Sequence, residues 1–530
     1  MIRLLYHAQV YSSPYAIGGT AIAIQDDRVL AIGSEEDLLS QYGKMALCED
    51  MQGACIFPGL TDAHLHLEQY ALSLQRVNCE TDTLQECLKR VEAIANKTPA
   101  GKWIRGHGWN QNLWHEGFGD NILLDAVSPH NPVYLTAKSL HAAWANSQAL
   151  ALAGIDETTP DPPGGKIQRN SQGQPTGILF ESAMQLVERI LPVPTPQEVA
   201  DAILEAQRAL WQMGITGVHD FDQSRCFSAL QILDQSNTLR LRVLKSIPLE
   251  NLPDAIRLGL RSGFGSSFLK IGAVKLFADG ALGPHTAAMF QPYENEPHNT
   301  GILLLDHEDI VEYGREAVQH GLSLAIHAIG DRANHEVIHG LAQIRAYETH
   351  QGFSPLRHRI EHVQCLHPED VPLLAQHHIL ASVQPVHAIS DMEMADAYWG
   401  TRSRTSYAYR LLQNHGTTLI FGSDAPVESP NPWVGVYAAV TRRKLNGFPG
   451  ENGWYPEQRL SVQDAMAGFT VTPAFAAYRE RELGKLDQGF LADLIVLPVS
   501  PFDISQDQIP SLHPIATMVG GEWVFGGVES

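Results

Sequence analysis

Phe57-Pro-Gly-Leu-Thr-Asp-Ala-His-Leu-His-Leu67 places His64 and His66 two positions apart behind a short apolar run. Alternate side chains of a β-strand share a face, so both imidazoles point the same way and can bind one metal ion. Asp62 has the same parity, which puts a carboxylate where it can orient a ligating imidazole. A lone His-x-His pair among 24 histidines is a weak signal, because the ordinary histidine is structural and hydrogen-bonded. Its weight comes from later segments able to supply further ligands.

Working outward, strand-like runs alternate with helical stretches, the pattern of a parallel α/β architecture. Eight strand ends can be counted, at His64 and in 132–136, 215–219, 273–277, 322–327, 359–363, 380–384 and 418–423. Eight is the number that closes a (β/α)8 TIM barrel. His362 to Asp424 is 62 residues for two units, near the roughly 30 residues of a plain βαβ unit. His64 to Lys275 is 211 residues for three units, where roughly 90 would do. The excess marks an insertion at about 78–190, expected at the barrel mouth because βα connections lie there. Within it, Lys166-Ile-Gln-Arg and Thr176-Gly-Ile-Leu-Phe flank a hairpin-like turn.

Before the barrel, residues 3–11, 21–25 and 29–33 read as strands, and 492–498 and 515–525 have the same texture. Neither end can bury a core alone. The expected organisation is a composite β-sandwich from 1–56 plus 480–530, around a barrel at 57–479.

The formal net charge of −22 argues against nucleic acid and anionic membrane as partners, and its plain reading is solubility; the expected partner is a small-molecule substrate. Six scattered cysteines without a Cys-x-x-Cys pair point to a reducing compartment. The first residues lack a signal-peptide pattern and no run of 18 apolar residues occurs, so a cytoplasmic protein is expected. The number of subunits stays open, a homo-oligomer included.

Four further residues sit at or just past the ends of expected barrel strands: Lys275, His327, His362 and Asp424. That face of the barrel carries the chemistry. Imidazole nitrogen and carboxylate oxygen suit zinc or a similar divalent ion, which lowers the pKa of bound water from about 15.7 to about 7. An aspartate on strand 8 can take a proton from that water and pass it to a leaving amine, which describes hydrolysis at a polarised carbonyl. Trp103, Trp109, Trp114, Trp399 and Trp433 can line an apolar pocket or equally pack a core.

The constellation resembles the amidohydrolase superfamily over nearly the whole chain, with Phe57 to His66 similar to its strand-1 opening. Gly106-His-Gly-Trp-Asn110, Gly173-Gln-Pro-Thr-Gly-Ile-Leu-Phe-Glu181, Asp279-Gly-Ala-Leu-Gly283, His327-Ala-Ile-Gly-Asp-Arg-Ala-Asn334 and Ser382-Val-Gln-Pro-Val-His387 are similar to amidohydrolase family 3, which includes N-substituted formamide deformylases. Gly484 to Asp493 looks like the superfamily's return segment to the sandwich. The resemblance implies ligation of one or two metals by His64, His66, His327 and His362, with Asp424 as ligand and general base. In several branches the strand-4 lysine, here Lys275, is carbamylated and bridges two metals; the alternative is an ammonium paired with Asp279 or another carboxylate. Asn110, the Ser139-Leu140 pair before His141, and Pro284-His285 depart from the branch pattern and put any transferred substrate in doubt. Trp109, Trp114, His141 and His285 are the expected substrate-binding residues.

Three functions compete at this stage: hydrolysis of a linear carbon-nitrogen bond, metal-dependent deamination of a heterocycle, and a non-enzymatic scaffold. Deamination commonly uses a carboxylic acid near the strand-5 or strand-6 histidine to protonate the ring. Glu361 adjoins His362 and by strand alternation should face away from it. A scaffold would have lost ligands, and every one is present.

Overall fold

The computed structural model describes residues 1–139 and 141–527; Leu140, one of the positions departing from the branch pattern, lies outside the described residues. The chain divides into two compact units, Met1–Tyr70 with Val199 onward, and Ala71–Glu198.

The first unit contains eight parallel strands in sequential order: β1 (Leu60–Leu65), β2 (Ile215–Asp220), β3 (Arg242–Pro248), β4 (Leu269–Phe277), β5 (Leu324–Ala328), β6 (Arg359–His362), β7 (Leu380–Val383) and β8 (Leu419–Phe421). The ends of this row meet, because Asp424 donates its N–H to the His64 carbonyl at 2.7 Å and His66 donates to that of Ala425 at 2.9 Å. Gly422 makes the approach possible, since a Cβ there would lie 2.4 Å from the His64 nitrogen. The sheet is a (β/α)8 barrel.

The expected count of eight was reached with two compensating errors. Val133–Ala137, read as the second barrel strand, belongs to a sheet of the other unit. The third barrel strand, β3, escaped notice because Arg242, Lys245 and Ser246 interrupt its apolar pattern. All three are buried: Arg242 pairs with Asp493, and the Lys245 ammonium lies 2.9 Å from the Asp220 carboxylate. A strand that turns charged residues into a partnered interior looks polar in sequence.

Helices cover the strands with apolar stripes. In His307–Gln319 the buried residues Ile310, Val311, Gly314, Ala317 and Val318 recur at helical spacing, and Asp306 caps the helix reciprocally with Asp309. The helix Asp331–Gln351 follows β5 and ends where Gly352 turns left-handed at φ 69°.

Two further sheets in this unit draw on both chain ends. A four-stranded sheet runs Arg28–Gly33, Ala21–Gln25, Ile2–Tyr6, Ala46–Asp50. A six-stranded sheet runs Glu522–Gly526, Ala516–Val519, Leu494–Leu497, Cys55–Pro58, Gln9–Ser13, Ala16–Gly19. Leu5, Ile22 and Ile24 of the first share an apolar core with Ile56, Leu494, Val496 and Met518 of the second. The long strands expected at 3–11 and 515–525 are each broken, the first at His7 (φ 52°) and the second at the Gly520-Gly521 turn.

The second unit is built on a six-stranded sheet, Gly165–Arg169, Pro175–Glu181, Ala142–Ala145, Val133–Ala137, Ile104–Trp109, Val77–Asn78. Its first two strands form the hairpin. Trp109, Trp114 and Trp144 are buried with Leu135 and Ile178 in one core cluster.

Candidate metal centre

Three imidazoles of the centre, those of His64, His362 and His327, are held by one ring nitrogen, which leaves the other to face inward. His64 donates Nδ1–H to Glu361 at 2.5 Å. His362 places Nδ1 2.8 Å from the Gln384 side-chain oxygen. His327 donates Nε2–H to the Gly280 carbonyl at 2.9 Å. His66 sets Nδ1 3.3 Å from Asp222, close but not aligned for a hydrogen bond. Such outer partners fix the tautomer and orientation of a ligating ring.

The free faces converge. The rings of His64 and His362 lie 4.8 Å apart, and those of His327 and His362 4.6 Å apart. Asp424 Oδ1 sits 3.5 Å from His64 Nε2 and 3.4 Å from His66 Nε2. Asp424 adopts φ 61° and His362 φ 76°; these left-handed residues turn their side chains inward at the ends of short strands.

Burial pushes the pKa of His64 down to about 4 and that of His327 to about 3, the latter helped by the nearby Lys275 charge, so both are neutral and able to ligate near pH 7. Burial would also depress His66, but the carboxylates of Asp222 and Asp424 beside it outweigh that and raise the ring to about 9. Burial opposes ionisation of Asp424, yet the surrounding histidines hold it well below the usual carboxylate range. His64, His327 and His362 with free inward nitrogens, joined by His66 once a bound cation takes the place of its second proton, fit a divalent cation around an ionised carboxylate.

Lys275 is 5% exposed and, among the described residues, makes no hydrogen bond or ion pair. Its ammonium lies over Phe221 at 4.6 Å and Phe277 at 4.9 Å. Burial lowers its pKa to about 8. The expected alternative partner, Asp279, is engaged elsewhere: it accepts backbone N–H groups from Ala288, Ile329 and Gly330.

Two sequence expectations are corrected. Glu361 does not face away from the centre: it is fully buried, binds His64 and is clamped by Arg359. Alternation held for Arg359 and Glu361, which share a parity and both point inward; it failed for His362, whose positive φ ends the strand. Asp62 orients no imidazole; it accepts the His64 N–H at 3.1 Å, the Ser423 N–H at 3.0 Å and the Ser423 hydroxyl, and so joins β1 to the segment after β8.

The residues missed in sequence are Glu361, Asp222, Gln384 and His387. His387 stacks at 6.1 Å on His362, and its Nε2 lies 3.8 Å from Asp424 Oδ2 with no hydrogen-bond partner. The Gln-Pro-x-His spacing of Gln384 to His387 was the available signal, because both open the helix Pro385–Ser390 directly after β7.

The structure places the expected substrate-binding residues away from free surfaces or in pairs. Trp109 and Trp114 are buried in the second unit, their indole N–H groups bound to the Leu135 and Thr81 carbonyls at 2.8 and 3.0 Å. His141, in the same unit, is exposed and lies 3.1 Å from Glu181. His285, in the first unit, sits 2.6 Å from Glu296 and stacks on Tyr293 at 5.1 Å. Trp399 and Trp433 are buried.

Comparison with known proteins follows the same lines. A family model described as amidohydrolase family matches residues 48–525. The Protein LONG AFTER FAR-RED 3 of Arabidopsis thaliana is 32% identical over 97% of this chain and 89% of its own. An N-substituted formamide deformylase of Arthrobacter pascens is 26% identical over 94% of each chain. The crystal structure of an uncharacterized metal-dependent hydrolase from Pyrococcus furiosus superposes with a TM-score of 0.78 at 27% identity, covering 95% of this chain and 100% of that one.

Proposed function

Since this chain belongs to the amidohydrolase family, whose members are metal-dependent hydrolases, we propose that it cleaves a carbon-nitrogen bond of the amide type in a small molecule. The observation that carries this reading is that His64 and His66 face ionised Asp424, with the ring of His362 beside His64 and that of His327 beside His362.

In this reading His64, His66, His327, His362 and Asp424 hold a divalent ion, most simply zinc. When bound, the ion supplies Lewis acidity that makes water nucleophilic near neutral pH and polarises the substrate carbonyl. Asp424 accepts the proton of the attacking water and delivers it to the departing amine, a task suited to a carboxylate held ionised. His387 aims an unpartnered Nε2 at the same region, where an N–H can stabilise negative charge developing on the carbonyl oxygen. Lys275, unpaired and with its pKa lowered to about 8, suits reaction of its neutral amine with carbon dioxide, losing a proton to give a carbamate that adds a further oxygen donor.

Linear amide cleavage is favoured over deamination by the state of Glu361. Burial opposes its ionisation, but Arg359 and His64 hold it well below the usual carboxylate range, so it has no proton to give a heterocycle. The Arthrobacter pascens relative named for N-substituted formamides suggests the first compounds to try. Turnover against N-substituted formamides, acyl amides and cyclic ureides tests the proposal, with amine release and no free ammonia expected. Ammonia from a heterocycle with no amide cleavage would replace this reading by deamination.

A further inference from the structure

A second cluster of ligating side chains lies outside the barrel centre, on the helix that follows β5. His335 and His339 stand four residues apart in Asp331–Gln351, so they share one helix face, and their rings are 4.2 Å apart. Facing them is Asp370, the last residue of the short 3-10 turn Pro368–Asp370 that follows β6. Its carboxylate is 3% exposed, with Oδ2 3.0 Å from His335 Nδ1 and Oδ1 3.9 Å from His339 Nε2. Among the described residues no other group donates to that carboxylate. The carboxylate is held by His335 Nδ1, 3.0 and 3.2 Å from its two oxygens, with His339 standing by at 3.9 Å, and a bound cation would give this buried charge a full partner.

We propose that His335, His339 and Asp370 form a peripheral site for a divalent transition ion, separate from the barrel centre. One candidate ligand atom from each residue can be chosen so that all lie within 4.8 Å of one another. Tetrahedral zinc with bonds of about 2.0–2.2 Å sets neighbouring ligand atoms roughly 3.3 Å apart. The observed 3.0 and 3.9 Å bracket that spacing, so small rotations of two half-exposed rings complete the site. Two imidazoles and one carboxylate suit Zn²⁺ or Cu²⁺, and the rings' exposure of 37% and 45% leaves the remaining positions to water.

Occupancy would have a structural consequence. The helix Asp331–Gln351 descends from β5, which carries His327, and Asp370 follows β6, which carries His362. These connections already touch, since Asn334 donates to the Cys365 carbonyl at 3.0 Å and Cys365 donates to that of Ile329 at 2.9 Å. An ion held by His335, His339 and Asp370 staples the two segments that bear barrel ligands.

The test is calorimetric titration of ZnCl₂ into enzyme whose barrel centre is already loaded. Wild type takes up one additional equivalent and its thermal midpoint rises. The double variant His335→Ala/His339→Ala takes up none and its midpoint does not move, while its barrel metal content stays equal to wild type. Asp370→Asn weakens the added equivalent by more than the roughly 10–100-fold typical of losing only an orienting partner. Electron paramagnetic resonance of one added Cu²⁺ reads two nitrogen ligands in wild type, and a double variant with glutamine at both positions checks that loss of binding is not loss of fold. Absence of the additional equivalent in wild type, or its persistence in either double variant, overturns the proposal.

Discussion

Replacing Glu361 by glutamine removes one charge from a dry network while keeping its shape. The carboxylate accepts His64 Nδ1–H at 2.5 Å and pairs with the Arg359 guanidinium, and Glu361 and Arg359 are 0% and 4% exposed. Two costs follow, and they are separable. In metal-free protein Arg359 keeps, among the described residues, only neutral partners, the Ala63 carbonyl and Ser382 hydroxyl at 2.7 Å each and His219 Nδ1 at 2.9 Å. Breaking a buried ion pair from one side costs about 3–5 kcal/mol. In metal-loaded protein an amide oxygen in the place of Oε2 can still accept from both His64 and Arg359, but it is uncharged and its NH₂ then faces Arg359 Nε, so His64 keeps only a weakened orienting acceptor. Such partners are worth 10–100-fold in metal affinity, or about 1.4–2.8 kcal/mol. The stability cost is the larger, so denaturant unfolding of metal-free protein is the primary assay and chelator competition the second. The double change Arg359→Leu/Glu361→Leu separates them further: it should recover much of the stability, because no buried charge is stranded, without recovering metal affinity. A Glu361→Gln variant within about 1 kcal/mol of wild type and within about threefold in metal affinity would refute this account of the network.

Asp424→Asn should retain the fold and lose about 10²–10⁴ in rate, as expected when a general base is removed; activity within fivefold of wild type takes Asp424 out of the proton path. Lys275→Ala should lose bound metal and regain part of its activity with added acetate or propionate if a carbamate is present, whereas a variant that keeps its full metal content argues for a free amine. His358 is buried, its Nδ1 accepts the Leu324 N–H at 3.1 Å, and burial lowers its pKa. Its folded pKa lies below its unfolded value near 6.5, so its contribution to stability is present above about pH 6.5 and is lost as pH falls; wild type should lose more stability between pH 7.5 and 5.5 than His358→Gln, and equal losses would exclude His358. Trp109→Ala should destabilise the Ala71–Glu198 unit by about 3–5 kcal/mol because the indole is buried and its N–H bonded; a protease-resistance profile unchanged from wild type would show that the unit does not depend on it.

What the amino-acid order determined unaided were the features that depend on local period and spacing. The His64-x-His66 parity, the strand ends bearing Lys275, His327, His362 and Asp424, the sheet-forming chain ends and the hairpin around residue 170 are all set by residues near one another in the chain. Tertiary structure decided what depends on a residue's distant neighbours. Arg242 and Lys245 become strand residues only because Asp493 and Asp220 neutralise them in the interior, which no window of sequence contains. Glu361 joins His64 across 297 positions, and its inward aim was hidden by an alternation that stops at the positive φ of His362. The same holds for Asp62: parity places it beside the inward-facing histidines, but Ser423, brought alongside when β8 meets β1, claims the carboxylate first. Strand periodicity says which side a residue faces; which partner it meets there is settled when the barrel closes and every buried polar group must be satisfied.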